Sequence, residues 1–190
     1  DKIYNIHCPV PGKAFIYNCL VAFAVATLLH VDPSRIISGI RNFELTKNRM
    51  EIIELKNNIK LINGVYNASV DSMKSNLEIL KNQVGNRKIA VLGSMLELGE
   101  YSKSLHEDVG RFVVQNDVDI LITVGSEAKY IADSAINLGM KQDNVYIFDD
   151  NSKAIELLKN ILDTGDILLL KASNSLNFKE IIDNLVMYFR

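Results

Sequence analysis

The chain has 190 residues, 48% hydrophobic and 23% charged, which is room for one well-buried core or one core plus a fragment of another. A net charge of −2, with Lys and Arg occurring only singly or in pairs, leaves no electrostatic footprint for nucleic acid and no polybasic membrane patch. Cys8 and Cys19 form no CxxC pair, and the apolar stretch from Cys19 to Leu29 falls short of the roughly 20 residues a bilayer-spanning helix needs. A disulfide framework and a membrane span are therefore not expected, whereas reduced thiols in cytoplasm are. No basic-plus-apolar leader is present, but the sequence opens without Met on Asp1-Lys2-Ile3-Tyr4 and reads as a fragment of something longer.

In chain order, Ile3 to Val10 predicts a short strand ended by Pro9 and Pro11. Phe15 to Leu29 is apolar nearly all round and predicts a buried helix. Asp32-Pro33 reads as an N-cap followed by proline at the first helical position, with a short helix from Pro33 to Ile40 ending near Asn42. This first quarter carries no strand–helix repeat of its own and resembles the tail of a preceding domain.

From Met50 the period changes. Glu51–Leu55 and Ile59–Ile62 flank Lys56-Asn57-Asn58, a hairpin signal. Apolar strand runs then alternate with helical patterns. The strands are Ile89–Leu92, Ile120–Val124, Val145–Phe148 and Ile167–Leu170, and the helices about Val70–Asn82, Lys103–Gln115, Glu127–Leu138, Ser152–Leu162 and Asn177–Phe189. Continuous Val/Ile/Leu runs imply strands buried on both faces. The fold class is therefore α/β: a Rossmann-like, mostly parallel sheet flanked by helices, with an antiparallel pair from the opening hairpin. Ser104-x-x-Glu107 and Asn177-x-x-Glu180 fit capping boxes.

Ligands of such a sheet bind beyond the carboxyl ends of its strands, where loops meet helix N-termini. The loops there are Asn63–Ser69, Gly93–Glu100, Gly125-Ser126 and Lys171–Ser175. In the second, Met95, Leu96 and Leu98 either fold back on the core or form an apolar docking face. Lys171 directly follows a buried strand, with Ser173 close behind. An ammonium and a hydroxyl near a helix N-terminus suit a carboxylate or phosphate, the other reading being an exposed lysine and a loop serine that packs or caps. Either way Lys171 is expected at the rim, where its removal harms turnover far more than folding.

Other chemistries lack their residues. The sequence has no GxxxxGK[ST] and no GxGxxG, and Gly12-Lys13 lacks the partner glycine and hydroxyl of a phosphate loop. His7, His30 and His106 have no metal-ligand spacing with each other or with the cysteines. His106 reads as a surface or capping histidine, and His30 as one answering a helix dipole.

At these loops the sequence resembles the Mur ligases, specifically the type that adds D-alanyl-D-alanine. Tyr66–Met73 is similar to that type's YNANPDSM segment. Val91–Ser102, followed by Leu105-His106 and Val109-Gly110, is similar to its VLGDMLELGEYS…LH…VG segment. Arg49-Met50-Glu51 resembles its GRME, Lys171–Asn174 its KGSR, and Gly12 with Tyr17–Ala22 its GxHNxxNALAA helix. The order is shared nearly end to end.

The resemblance implies residues 1–45 as the remnant of a central ATPase domain and 46–190 as the C-terminal, substrate-binding domain. It implies an ATP-dependent ligase acting through an acyl phosphate, with ATP and Mg held mainly by the absent central domain. The partners implied are a UDP-muramoyl peptide, D-alanyl-D-alanine or a related amine, and the protein's own upstream domains. By motif position Arg49, Tyr66 and Asn67 would face the nucleotide, and Lys171, Ser173 and Asn174 the incoming dipeptide. The family's His-Asn after the glycine is Ala14-Phe15 here, its two acidic residues before YNAN are Asn63 and Gly64, the Asp of GDM is Ser94, and KGSR becomes Lys-Ala172-Ser-Asn174. Asn cannot reproduce the bidentate contact of an arginine. Another amine substrate, or a binding module without catalysis, are the readings those changes open.

Overall fold

A hairpin of β1 (Glu51–Glu54) and β2 (Lys60–Asn63) opens a six-stranded sheet in a computed structural model that describes residues 2–10, 12–44 and 50–190, apart from the side chain of Ala14. The other strands are β3 (Lys88–Gly93), β4 (Ile120–Val124), β5 (Val145–Phe148) and β6 (Ile167–Lys171), in the order β1-β2-β6-β3-β4-β5. Every pair but the hairpin is parallel. The helices between them are α3 (Val70–Lys81), α4 (Ser102–Gln115), α5 (Lys129–Asn137), α6 (Asn151–Ile161) and α7 (Lys179–Tyr188). The mostly parallel α/β sheet expected from the apolar runs is the one found.

Side chains alternate along each strand, so the two faces collect different residues. Leu61, Ile89, Val91, Ile122, Val124, Leu168 and Leu170 meet Ile155 and Leu158 of α6 and Ile181 and Leu185 of α7. Their neighbours in sequence, among them Ile62, Leu92, Leu121 and Leu169, are equally buried on the other face, with Met73, Leu77, Val109, Val113 and Ile131 of α3, α4 and α5. Both faces being covered, the interior strands need apolar residues at every position.

The helix ends follow partly different chemistry from that expected. Ser69 and Ser72 form a reciprocal capping box at α3, and Asp150 caps α6 through Lys153 N–H at 3.1 Å. Ser104 caps nothing. A 3₁₀ turn over Gly99–Tyr101 runs straight into α4, so Ser104 lies inside the first turn and its hydroxyl donates to Tyr101 O. Asn177 is no side-chain cap either. It closes a 3₁₀ turn in the left-handed region, and its carbonyl accepts Glu180 N–H.

The chain divides into two compact units, Asp1–Thr46 and Lys47–Arg190. In the first, α1 (Lys13–Leu28) is followed by α2 (Pro33–Arg41), whose N-cap Asp32 accepts Ser34 N–H at 2.9 Å. The strand expected over Ile3–Val10 does not form. Prolines remove donors at its end, and among the described residues of its unit there is no strand to pair with. Nor is α1 the buried helix expected: Val21 is 63% and Leu28 77% exposed. A helix apolar on every side needs cover on every side, and its own unit supplies one short helix. Both cysteines are free thiols.

Candidate functional site

The position of β6 builds the site. The last strand enters between β2 and β3, so Asn63 lies beside Leu170 and Leu92 beside Lys171. The loops leaving β2, β3 and β6 are thereby neighbours at the carboxyl edge of the sheet, where a parallel α/β sheet receives its ligands.

Direct hydrogen bonds tie these loops together. Lys171 Nζ donates to Asn67 O at 2.8 Å and to Gly64 O at 3.2 Å, and Asn174 Nδ2 donates to Tyr66 O at 3.1 Å. Ser173 Oγ accepts Leu96 N–H at 2.9 Å, and Ser173 N–H donates to Ser94 O. Five of the expected site residues, Tyr66, Asn67, Lys171, Ser173 and Asn174, thus share one edge. Arg49 lies outside the described residues.

Lys171 is not a rim lysine. It is 4% exposed, because it continues the alternation of β6 on the face of Leu169 and its stem is covered. An ammonium so placed needs oxygen partners, and the turn after β2 provides carbonyls. Tyr66 and Asn67, by contrast, are exposed above it. The apolar residues of the Gly93–Glu100 loop divide. Met95 folds into the core at 1% exposed, while Leu96 stands out at 45%.

Two departures from the family pattern have a local fit. A Cβ on Gly64 would lie 2.5 Å from Asn76 Oδ1, so a side chain at that position would have to displace Asn76. Asn63 spans the hairpin instead, its amide donating to Glu51 at 3.3 Å and its carbonyl oxygen accepting Val65 N–H. Ala172 is buried where a Cβ on Gly93 would meet it at 2.5 Å, so β3 and the β6 loop approach through one methyl group.

A second set of residues, most of them inside the Val91–His106 motif segment but given no site role there, holds the β3 loop from below. His106 is fully buried rather than a surface or capping residue. Its Nε2 accepts Met95 N–H at 2.9 Å, and its Nδ1 lies 2.7 Å from Ser102 O, a carbonyl that can only accept. The ring is therefore neutral with its proton on Nδ1. Burial pushes its pKa below the ordinary 6.5, against the opposing pull of the Ser102 carbonyl and the Glu127 carboxylate. Ser102 Oγ donates to Glu127 Oε2 at 2.7 Å, and Ser94 Oγ accepts both Glu127 N–H and Ala128 N–H at 3.1 Å. The signal was present in the sequence: His106 shares the helical spacing of buried Val109, Gly110 and Val113.

Among the described residues, no group of three or more His, Cys, Asp or Glu side chains is arranged to hold a metal ion. None of their helices is long and apolar enough to cross a membrane.

The family model described as Mur ligase, glutamate ligase domain, matches residues 48–174. The UDP-N-acetylmuramoyl-tripeptide–D-alanyl-D-alanine ligase of Synechocystis is 33% identical over 96% of this chain and 39% of its own length. The enzyme of that name from Bacillus subtilis is 28% identical over 94% of this chain and 39% of its own. A crystal structure of MurF from Acinetobacter baumannii superposes with a TM-score of 0.84 at 25% identity, covering 96% of this chain and 40% of that one. MurF from Thermotoga maritima, solved in complex with ADP, shares the fold with a TM-score of 0.75 at 24% identity, covering 94% and 39%. The chain thus spans about two fifths of the relatives it matches.

Proposed function

This chain belongs to the Mur ligase family through its glutamate ligase domain, and from that premise we propose that it is the C-terminal domain of an ATP-dependent amide ligase. The reaction proposed joins D-alanyl-D-alanine to a UDP-muramoyl tripeptide through an acyl phosphate, in peptidoglycan precursor synthesis. Relatives bearing that ligase name at 28% and 33% identity support it. The observation that carries it is the joining of the Tyr66–Asn67 and Lys171–Asn174 loops at one edge of the sheet.

In this reading residues 1–45 end the central ATPase domain, and the upstream part of the protein covers the exposed apolar surface of α1. Residues 46–190 close over the nucleotide. Tyr66 and Asn67 face the adenosine and Arg49 the phosphates, while Ser173 and Asn174 meet the incoming dipeptide. Lys171 acts through the turn it holds. Closure of such a domain excludes water from an acyl phosphate that water would otherwise hydrolyse. In the same reading ATP and magnesium are held mainly by the upstream ATPase domain. A reaction that uses ATP and nucleotide-linked precursors places the protein in the cytoplasm.

The test is turnover by the full-length parent. ATP hydrolysis is expected only when UDP-muramoyl tripeptide and D-alanyl-D-alanine are both present. ATP binding without turnover on any peptide acceptor would make the protein a binding module instead. One observation favours a different amine. Asn174 stands where the family carries an arginine, and its amide is spent on Tyr66 O. Turnover with another dipeptide or amino acid in the same assay would establish that reading.

A further inference from the structure

The groups below the β3 loop form a closed circuit. Ser94 and Met95 are adjacent in the loop. Met95 N–H donates to His106, His106 to Ser102 O, the Ser102 hydroxyl to Glu127, and the Glu127 and Ala128 N–H groups return to Ser94 Oγ. The next residue, Leu96, donates its N–H to Ser173 Oγ. Every link is a direct bond of 2.7–3.1 Å. His106 is the one member whose acceptor role ends on protonation, because an imidazolium has two donors and no acceptor.

We propose that His106 is a positioning residue of the ligase site: as the neutral Nδ1–H ring it fixes Met95 and thereby holds Leu96 against Ser173, so that the amine-binding edge is ordered only while the ring is uncharged. The assignment of that edge to the amine rests on the function proposed above, whereas the ordering of the loop does not. The charged group facing the ring is Glu127, in the turn before α5. Ser102 faces it from its own helix, and the β3 loop presents Met95 N–H. Burial lowers the ring's affinity for a proton and outweighs the two influences that raise it. The sign follows. The folded state binds the proton less well than the unfolded chain, so loop order is complete above the ordinary histidine value of 6.5 and is lost as pH falls below it toward the lowered folded value.

The full-length protein tests this in two readouts. The first is hydrogen exchange at Met95 and Leu96, normalised to β4, between pH 7.5 and 5.0, with the His106 tautomer read from its ring nitrogens by NMR. Protection of both amides is expected to fall about tenfold at the acid end, the worth of one buried hydrogen bond. The second is the ratio of the wild-type to the His106→Gln KM for D-alanyl-D-alanine at each pH, which cancels the titration of the dipeptide's own amine and is expected to rise by a similar factor at the acid end while the same ratio for ATP stays level.

His106→Gln places a non-titrating acceptor near the Nε2 position and is expected to keep the wild-type amine KM at pH 7.5 and to protect Met95 and Leu96 equally at both pH values. His106→Asn keeps the bond to Ser102, loses Met95, and should raise that KM at every pH. An Nε2–H or charged ring at pH 7.5 would overturn the proposal, as would wild-type exchange at Met95 and Leu96 that ignores pH. Loop loosening in a wild-type protein that turns over no D-alanyl-D-alanine at any pH would support the positioning role and overturn the D-alanyl-D-alanine assignment instead.

Discussion

Lys171 Nζ sits 2.8 Å from the carbonyl oxygen of Asn67, a residue 104 positions earlier in the chain. One side chain at the end of β6 therefore shapes the turn that leaves β2, and the two loops behave as one structure. Lys171→Met keeps the aliphatic stem but leaves the Asn67 and Gly64 carbonyls without this donor. A destabilisation of about 1–3 kcal/mol is expected, the penalty for buried polar groups left unmatched. Thermal unfolding and nucleotide affinity of the full-length protein should both suffer. This differs from the loss of turnover alone that a rim lysine would give.

Gly64→Ala tests the same turn from its inner side. The new methyl group would lie 2.5 Å from Asn76 Oδ1 and 3.2 Å from Leu170 O. Overpacking of this kind costs about 1–3 kcal/mol. Asn76→Ala in the same chain removes the nearer obstacle, so the double variant should melt above the value that adding the two single effects predicts.

Gly110→Ala should separate α4 from α5. A Cβ there would meet Ile131 O at 2.4 Å and Ser134 Cβ at 2.6 Å, and a backbone oxygen gives way less readily than a side chain. A loss of about 1–3 kcal/mol in denaturant unfolding is expected, large for a substitution that raises helix propensity. Melting unchanged or raised would mean that the helices do not cross so closely.

The far end of the sheet offers a control remote from the site. Arg87 donates from Nε and Nη2 to buried Asp166 at 2.9 and 2.6 Å, and Nη2 also reaches Ile161 O. Arg87→Met strands the carboxylate with Asp163 N–H as a remaining donor. About 2 kcal/mol of stability is expected to go, discounted because the guanidinium is partly exposed. Substrate KM values should stay level, since none of these groups touches the carboxyl edge.

The order and type of the elements from residue 50 onward were legible because a sheet buried on both faces writes an unbroken apolar run for each interior strand. Ile167–Leu170 and Ile120–Val124 could scarcely be anything else. The place of β6 between β2 and β3 was not legible. Pairing order is decided by packing over more than a hundred residues, and no local pattern records it. The exposure of α1 was misjudged for a related reason: periodicity states what a helix can bury, and its surroundings decide what it does bury. At the site, the motif residues were found by resemblance, but their burial was not. Lys171 looked like an exposed charge until the turn carbonyls above it were in view. His106 was read as a surface or capping histidine because ring nitrogens signal metals and catalysis by spacing, whereas its partners here are backbone groups that a sequence does not display.

The insertion of the last strand into the middle of the sheet has a consequence for synthesis on the ribosome. Until residues 167–171 have emerged, β2 and β3 have no common neighbour, and each leaves an unsatisfied edge. A nascent chain cut short before that point would hold two open half-sheets, prone to chaperone capture and proteolysis. Quality control therefore coincides with synthesis of β6: the carboxyl-edge loops come together only in molecules translated past residue 171.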